Sequence, residues 1–243
     1  GDRVTASDYG GAFATERVVG AADVNVIPEG IEDLQSASGR LTFLPAYLAL
    51  FVRSKLEKGE TLVVTGATGG TGYAALMLGR EVGARVIGAV GSADKAAFLR
   101  AQGFTDVVDY GAGSFKDQVN ALTGGKGADV ILDVVGGDVL AQSLRCINTD
   151  GRILIVGFAG GKIPEIPANL PLLKNAAVIG SFLGGWRRKH PERFDRMRAD
   201  MERLMLEKNL HLPIAARIPM SRAVDAMQMV IDRKAVGVVA LEP

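Results

Sequence analysis

The sequence predicts an α/β fold, a doubly wound parallel sheet of six strands, and three observations carry the prediction. Short β-branched runs alternate with helical patterns from residue 61 onward; those runs are continuously apolar; and glycine, 31 of 243 residues, falls where strands must turn into helices. The runs are Thr61–Thr65, Arg85–Val90, Asp106–Asp109, Ala128–Val134, Gly151–Val156 and Ala176–Ser181. Strands that are apolar throughout, each separated from the next by a helix, need a sheet covered on both faces. The intervening stretches 70–82 and 94–102 repeat apolar residues every three or four positions, and each closes on a glycine, Gly83 and Gly103, as helix C-termini do.

The flanks have a different pattern. Residues 12–27 (AFATERVVGAADVNVI) hold two short β-like runs with no helix between them, and Thr42–Lys55 is an apolar helix leading into the first parallel strand. Beyond the sheet, Pro191–Lys208 is amphipathic, with Phe194, Met197, Met201, Leu204 and Met205 on one face. A strand at Ile214–Ile218, a helix at Ser221–Lys234 and a strand at Val236–Leu241 complete the chain. The economical division is a dinucleotide-binding domain over 45–183, bracketed by 1–44 and 184–243 as two parts of a second, β-rich domain.

Composition narrows the function. With 28 Lys+Arg against 27 Asp+Glu, interspersed, there is no basic stripe for a phosphate backbone. No run of some eighteen uncharged apolar residues occurs, and the first thirty residues carry no signal-peptide pattern. Cys146 cannot form an internal disulfide, and with only His190 and His211 beside it there is no metal-ligand set. The expectation is a cytoplasmic protein without metal, nucleic acid or membrane as partner. The opening Gly1-Asp2-Arg3-Val4, with no Met, is what a chain beginning in mid-domain would show.

The chemistry-bearing segment is Leu62-Val63-Val64-Thr65-Gly66-Ala67-Thr68-Gly69-Gly70-Thr71-Gly72. Here an apolar strand runs through a glycine-rich turn into a helix of small residues. A diphosphate must reach main-chain N–H groups at a helix N-terminus, where unpaired donors and the helix dipole favour an anion and a Cβ would stand in the way. The spacing of Gly66, Gly69 and Gly72, after a strand and before a helix, meets both context conditions of the dinucleotide fingerprint. An NAD site would carry a carboxylate about twenty residues further on, at the tip of the second strand. That place holds Gly91-Ser92, so a 2′-phosphate could be met by the Ser92 hydroxyl and the Lys95 ammonium, which favours NADPH. Ser92 could equally serve as an N-cap, with Lys95 a solvated side chain.

Together these segments resemble the zinc-independent quinone-oxidoreductase branch of the medium-chain dehydrogenase/reductase superfamily. The further marks are Gly11-Ala12-Phe13-Ala14-Thr15-Glu16, Asp133-Val134-Val135-Gly136-Gly137, Gly151-Arg152-Ile153-Leu154-Ile155-Val156-Gly157-Phe158, Ile166-Pro167-Ala168-Asn169 and the ending Ala235-Val236-Gly237. The resemblance implies a Rossmann domain between parts of a GroES-like catalytic domain whose N-terminal segment is not in this sequence, so it assigns no catalytic residue. Gly69, Gly70, Thr71 and Gly72 would hold the diphosphate, Ser92 and Lys95 the 2′-phosphate, and Tyr110 would lie near the adenosine. Val135, Gly136 and Gly137 would border the nicotinamide ribose, and Gly157 and Phe158 the nicotinamide. Tyr110 could instead be strand-end packing, and Phe158 core. The resemblance further implies an NADPH-dependent reductase of a quinone or α,β-unsaturated carbonyl, acting as a homodimer through the strand Ala176–Phe182. An enoyl-thioester reductase and a non-catalytic, crystallin-like NADPH-binding protein are the alternatives. At Val238 many relatives carry Lys.

The remaining candidates have plainer readings. The basic run Arg187-Arg188-Lys189-His190 is expected at the surface, Trp186 and His211 in structural roles, and Cys146 as an inert buried thiol.

Overall fold

A computed structural model describes residues 1–6 and 10–243 of the chain. Its centre is a six-stranded sheet of β3 (Thr61–Thr65), β4 (Arg85–Val90), β5 (Val107–Asp109), β6 (Ala128–Asp133), β7 (Ile147–Ile155) and β8 (Ala177–Gly180). All pairs are parallel, in the spatial order β5-β4-β3-β6-β7-β8. The order reverses direction between β3 and β6, which opens a crevice beyond the carboxyl ends of those two strands.

Period-2 alternation sends neighbouring residues to opposite faces, and both faces are buried. Leu62, Val64, Leu132 and Leu154 pack with α1 (Asp33–Tyr47), α2 (Gly70–Val82), α3 (Ala93–Ala101) and α8 (Pro191–Glu207). Val63, Ile131 and Ile153 pack with α4 (Phe115–Leu122) and α5 (Gly137–Cys146) on the other side. The short α6 (Asn169–Lys174) leads into β8, and α7 (Leu183–Lys189) leaves it. All six expected strands are therefore present, and α2 ends as expected on Gly83 at φ +83°. The Met-rich face of α8 is buried through Met197, Met201 and Met205.

Two expectations in the flanks need correction. The helix expected over Thr42–Lys55 begins at Asp33 instead, and after Tyr47 it loosens into a π-helical stretch over Leu48–Arg53. Its first half has no apolar stripe, yet Gln35, Ser36, Ser38 and Gly39 are buried because small residues let α8 approach; a Cβ on Gly39 would stand 3.0 Å from Met205 Cε. Pro45, with no N–H to give, sits just before the widened turn. Of the two β-like runs in 12–27, only the second forms a strand, β2 (Val24–Val26), and its antiparallel partner is β1 (Val4–Ala6). The earlier run has no sheet to join, and Val18 stands 99% exposed. Near the C-terminus β9 (Ile214–Pro219) and β10 (Val238–Glu242) pair in parallel across α9 (Ala223–Ile231).

Candidate functional site

The carboxyl ends of β3 and β6 carry the site. β3 stops at Thr65 and the chain turns through Gly66, which takes φ +59°; a Cβ there would meet Val134 Cγ2 at 2.7 Å. The first hydrogen bond into α2 is Tyr73 N–H to Gly69 O at 2.8 Å, so the N–H groups of Gly70, Thr71 and Gly72 precede the intrahelical ladder. The other three glycines of the turn have different reasons. A Cβ on Gly72 would lie 2.3 Å from Gly66 O, backbone against backbone, so Gly72 lets the helix fold back on its own turn. On Gly70 it would strike Thr42 Cγ2 at 2.5 Å, where α1 crosses. On exposed Gly69 it would meet nothing nearer than Gly66 O at 3.4 Å, so this position opens outward, toward where an anion would approach.

At the tip of β4, Ser92 takes the N-cap position of α3 with extended φ and ψ, yet its side chain makes no capping bond. One turn on, Lys95 is half-buried. Burial, and after it the positive charge of Arg233, holds the Lys95 ammonium below the usual lysine range. Tyr110 follows β5 and lies across Gly91, where a Cβ would stand 2.9 Å from its ring. Burial pushes the Tyr110 phenol up, and Arg233 pulls the other way. Ser92, Lys95 and Tyr110 thus come together, and Arg233, from the turn after α9, joins them. Neither cation has a carboxylate partner among the described residues. An ammonium and a guanidinium with no carboxylate partner among the described residues suit an anionic ligand group.

No local pattern in the sequence singles out Arg233. It lies 138 residues beyond Lys95, on a left-handed residue at φ +58°, and only the return of the C-terminal segment brings it in. That return is pinned to the phosphate turn itself: Gly237 N–H donates to Thr68 O at 2.7 Å, and Val238 touches the space above Gly70. The terminal strand therefore packs on the phosphate turn through Gly237 and Val238. The signal available in the sequence was the Ala235-Val236-Gly237 ending just after that arginine.

Across the crevice, β6 runs into the loop 134–137. Val135 is half-buried, while Gly136 and Gly137 are buried and lie at φ +73° and +56°. A Cβ on Gly136 would strike Phe158 Cδ1 at 2.8 Å and Lys162 O at 2.9 Å. The loop after β7 is zipped to it by Ala159 N–H to Val134 O and Gly160 N–H to Val135 O, both 2.9 Å. Gly157 is half-buried on this wall, and Phe158, 38% exposed, is a wall residue rather than core.

Other candidates lie elsewhere. His190 packs its ring 5.4 Å from Trp186 before α8, and His211 is exposed with Nε2 2.7 Å from Asn209 Oδ1. Cys146 is buried and its thiol is pushed up to about 12 by desolvation, so it stays protonated. Among the described residues no three His, Cys, Asp or Glu side chains gather as a metal site would need. No helix among them is long and apolar enough to cross a membrane.

Known proteins are similar to this chain in sequence and in fold. A family model described as zinc-binding dehydrogenase matches residues 70–203. A quinone oxidoreductase-like protein 2 homolog of Nematostella vectensis is 37% identical over 246 residues, covering 99% of this chain and 67% of its own. A probable oxidoreductase from Mycobacterium abscessus superposes with a TM-score of 0.88 at 30% identity, over 100% of this chain and 73% of that one. A mycobacterial protein solved in complex with NADPH superposes with a TM-score of 0.91 at 27% identity, over 100% and 75% of the two chains. By sequence along nearly its whole length, and by fold, this oxidoreductase belongs to the quinone-oxidoreductase branch of the medium-chain dehydrogenase/reductase superfamily.

Proposed function

We propose that the chain binds NADPH in the crevice between β3 and β6 and directs hydride to a quinone or an α,β-unsaturated carbonyl without zinc. The observation that carries the reading is the pairing of open helix-terminal amides at Gly70 and Thr71 with the unneutralised Lys95–Arg233 cluster at the tip of β4. Gly69, Gly70, Thr71 and Gly72 would hold the diphosphate; Ser92, Lys95 and Arg233 the 2′-phosphate; and Tyr110 the adenosine. Val135, Gly136, Gly157 and Phe158 would border the nicotinamide end. When bound, the reduced nicotinamide supplies the hydride. The chain orients and encloses: the zipped loops 134–137 and 157–162 form a fixed wall, and Phe158 offers an apolar surface that excludes water.

A conjugated acceptor suits this site. Hydride addition to a quinone or enone leaves a delocalised oxyanion that hydrogen-bond donors can stabilise, whereas a simple alcohol gains more from a Lewis acid. The buried, protonated Cys146 and the separated His190 and His211 are poor material for such an ion. We further propose that 1–44 and 184–243 belong to a GroES-like catalytic domain, that the protein works in the cytoplasm, and that it dimerises through β8. Among the described residues that strand pairs with β7 alone, and it lies beside exposed Leu172, Leu173 and Phe182.

The test is a paired fluorescence titration with NADPH and NADH, followed by a panel of quinones, enones and acyl thioesters. Tighter NADPH binding with turnover of a quinone or enone is expected. Preference for NADH would overturn the 2′-phosphate assignment, turnover of thioesters alone would make the protein an enoyl-thioester reductase, and NADPH binding with no turnover would make it a binding protein. Light scattering should give about twice the chain mass of 25.5 kDa; a single chain mass would overturn the dimer.

A further inference from the structure

Thr65 and Asp133 end the two central strands at the point where the strand order reverses, and both are fully buried. Thr65 Oγ1 donates to Asp133 Oδ1 at 2.6 Å and accepts the Val134 N–H at 3.1 Å. Asp133 Oδ2 accepts the Gly136 N–H at 2.8 Å, and the Val135 N–H also faces the carboxylate. No cation pairs with it among the described residues. Burial raises the Asp133 carboxyl above the usual carboxylate range, against the pull of these donors.

Burying a carboxyl is expensive, and sheet packing alone would favour valine at this place. What a carboxyl does here that valine could not is collect the N–H groups of the loop leaving β6. It thereby holds Gly136 at φ +73° and ψ −152°, a conformation reserved for glycine. The same loop meets the phosphate turn on one side, where Val134 fills the space beside Gly66, and Phe158 on the other, against Gly136. The hydrogen-bonded pair therefore fixes a backbone segment that touches both the phosphate turn and Phe158.

We infer that Thr65 and Asp133 form a positioning pair, which sets the 134–137 loop against the phosphate turn and so registers the nicotinamide end of the cofactor relative to its diphosphate, without touching the cofactor. This rests on the NADPH reading proposed above. It assigns a role in cofactor geometry to two buried groups that the binding turn itself does not need.

The experiment compares Thr65→Val, Thr65→Ser and Asp133→Asn in the full chain for two ligands. One is NADPH, followed by the fluorescence enhancement of its nicotinamide. The other is adenosine 2′,5′-bisphosphate, which has the adenosine and 2′-phosphate but no nicotinamide. Thr65→Val orphans the Val134 N–H, and Asp133→Asn leaves one acceptor oxygen where two carboxylate oxygens took the Thr65 hydroxyl and the loop N–H groups. Both should weaken NADPH roughly tenfold and lose the nicotinamide enhancement. Bisphosphate binding should stay within about twofold of wild type. Thr65→Ser, which keeps the hydroxyl, should restore NADPH binding. An NADPH affinity unchanged in Thr65→Val overturns the inference, as does an equal loss for both ligands or a serine variant no better than valine. Should Asp133→Asn fail to fold, the valine and serine pair decides alone. A wild type that binds neither ligand defeats the cofactor reading itself and this inference with it. A wild type that binds both, with a valine variant indistinguishable from it, defeats the inference alone.

Discussion

In β3 four of five residues are buried and in β6 five of six, whereas β1, β2 and β10 contain no buried residue. The central sheet has helices on both faces and makes its own core, so its strands are held by packing along their whole length. The two-stranded pairs at the ends have no such cover and would be marginal alone. Single anchors hold them. Arg3 reaches Asp33 and Ile31 O; Gln35 bonds both the N–H and the C=O of Leu212; and Gly237 bonds Thr68. The flanks also leave Val4, Val26, Val224, Val230 and Ile231 exposed, which the central region does not do on its helix-covered faces. One consequence is that damage should read differently in the two regions: as steric or packing loss in the first, and as loss of a named hydrogen bond in the second.

The sharpest contrast lies within the phosphate turn. Gly72→Ala would force a Cβ to 2.3 Å from a backbone oxygen that cannot swing aside, while Gly69→Ala would place one at an ordinary 3.4 Å. The expected cost of Gly72→Ala is about 3 kcal/mol, a fall in Tm of about 6–12 °C. Gly69→Ala should change stability by less than about 0.5 kcal/mol and yet weaken NADPH, because its methyl faces outward where the diphosphate would approach. Thermal melts with and without NADPH measure both. Equal melting temperatures for the two variants would show that the turn tolerates what its geometry forbids.

In the flanks, the corresponding lesion is Gln35→Leu. It keeps the volume but orphans the buried Leu212 N–H and C=O, now held at 2.9 and 3.1 Å. A loss of roughly 2 kcal/mol is expected. Hydrogen exchange should quicken around Leu212 and β9 while β3 and β6 stay protected. Faster exchange spread evenly through the central sheet would mean that the two regions unfold as one unit and that the contrast drawn above is wrong.

The readability of the chain divides along the same line. β3, β4 and β6 were legible because strands buried on both faces have to be continuously apolar, and because α2 and α3 close on turns that Gly83 and Gly103 mark. The flanks were less so, because burial there does not follow hydrophobicity. Gln35, Ser36 and Ser38 are buried by their hydrogen bonds and small size rather than by apolar character, so apolar periodicity marked the helix only from Thr42 onward. The phosphate turn could be read from its spacing for a similar reason to the strands: glycine is forced at Gly66, Gly70 and Gly72 by contacts within a few ångström. Arg233 could not be read, since its neighbours Lys95 and Tyr110 are supplied by tertiary return of the chain.

Arg233 gives the next effect in size, and it should appear in affinity rather than stability. The side chain is exposed and its charge is uncompensated, so Arg233→Met should leave the melting temperature nearly unchanged. NADPH should bind roughly tenfold more weakly, with NADH unaffected. The Lys95 ammonium, relieved of a like charge, should titrate closer to the ordinary lysine range. In the wild type the sign follows from that depressed value: as pH rises through it, Lys95 loses its charge, and NADPH affinity should fall while NADH affinity does not. A parallel fall for both cofactors would place the titrating group away from the 2′-phosphate.

The smallest effect belongs to the seam between the regions. Arg152 on β7 holds Glu60 with two bonds of 2.6 and 2.9 Å and also donates to Ser54 O, where the π-helical stretch ends. This ties the flank helix to the amino ends of the central strands, so it is neither core packing nor a lone flank anchor. The hydrogen bond from Arg152 holds the Glu60 carboxyl below its usual range. A depressed carboxyl contributes stability that is present above its unfolded value and is lost as pH falls through the lower, folded one. The side chains keep 19% and 23% of their exposure, so the contribution should stay near 1 kcal/mol. Glu60→Gln should therefore lower the urea midpoint slightly at neutral pH and approach the wild type in acid, once pH has fallen through the lowered, folded value. If the gap between the two proteins is the same at both pH values, the pair is held by shape rather than charge, and the seam is an extension of the packed sheet.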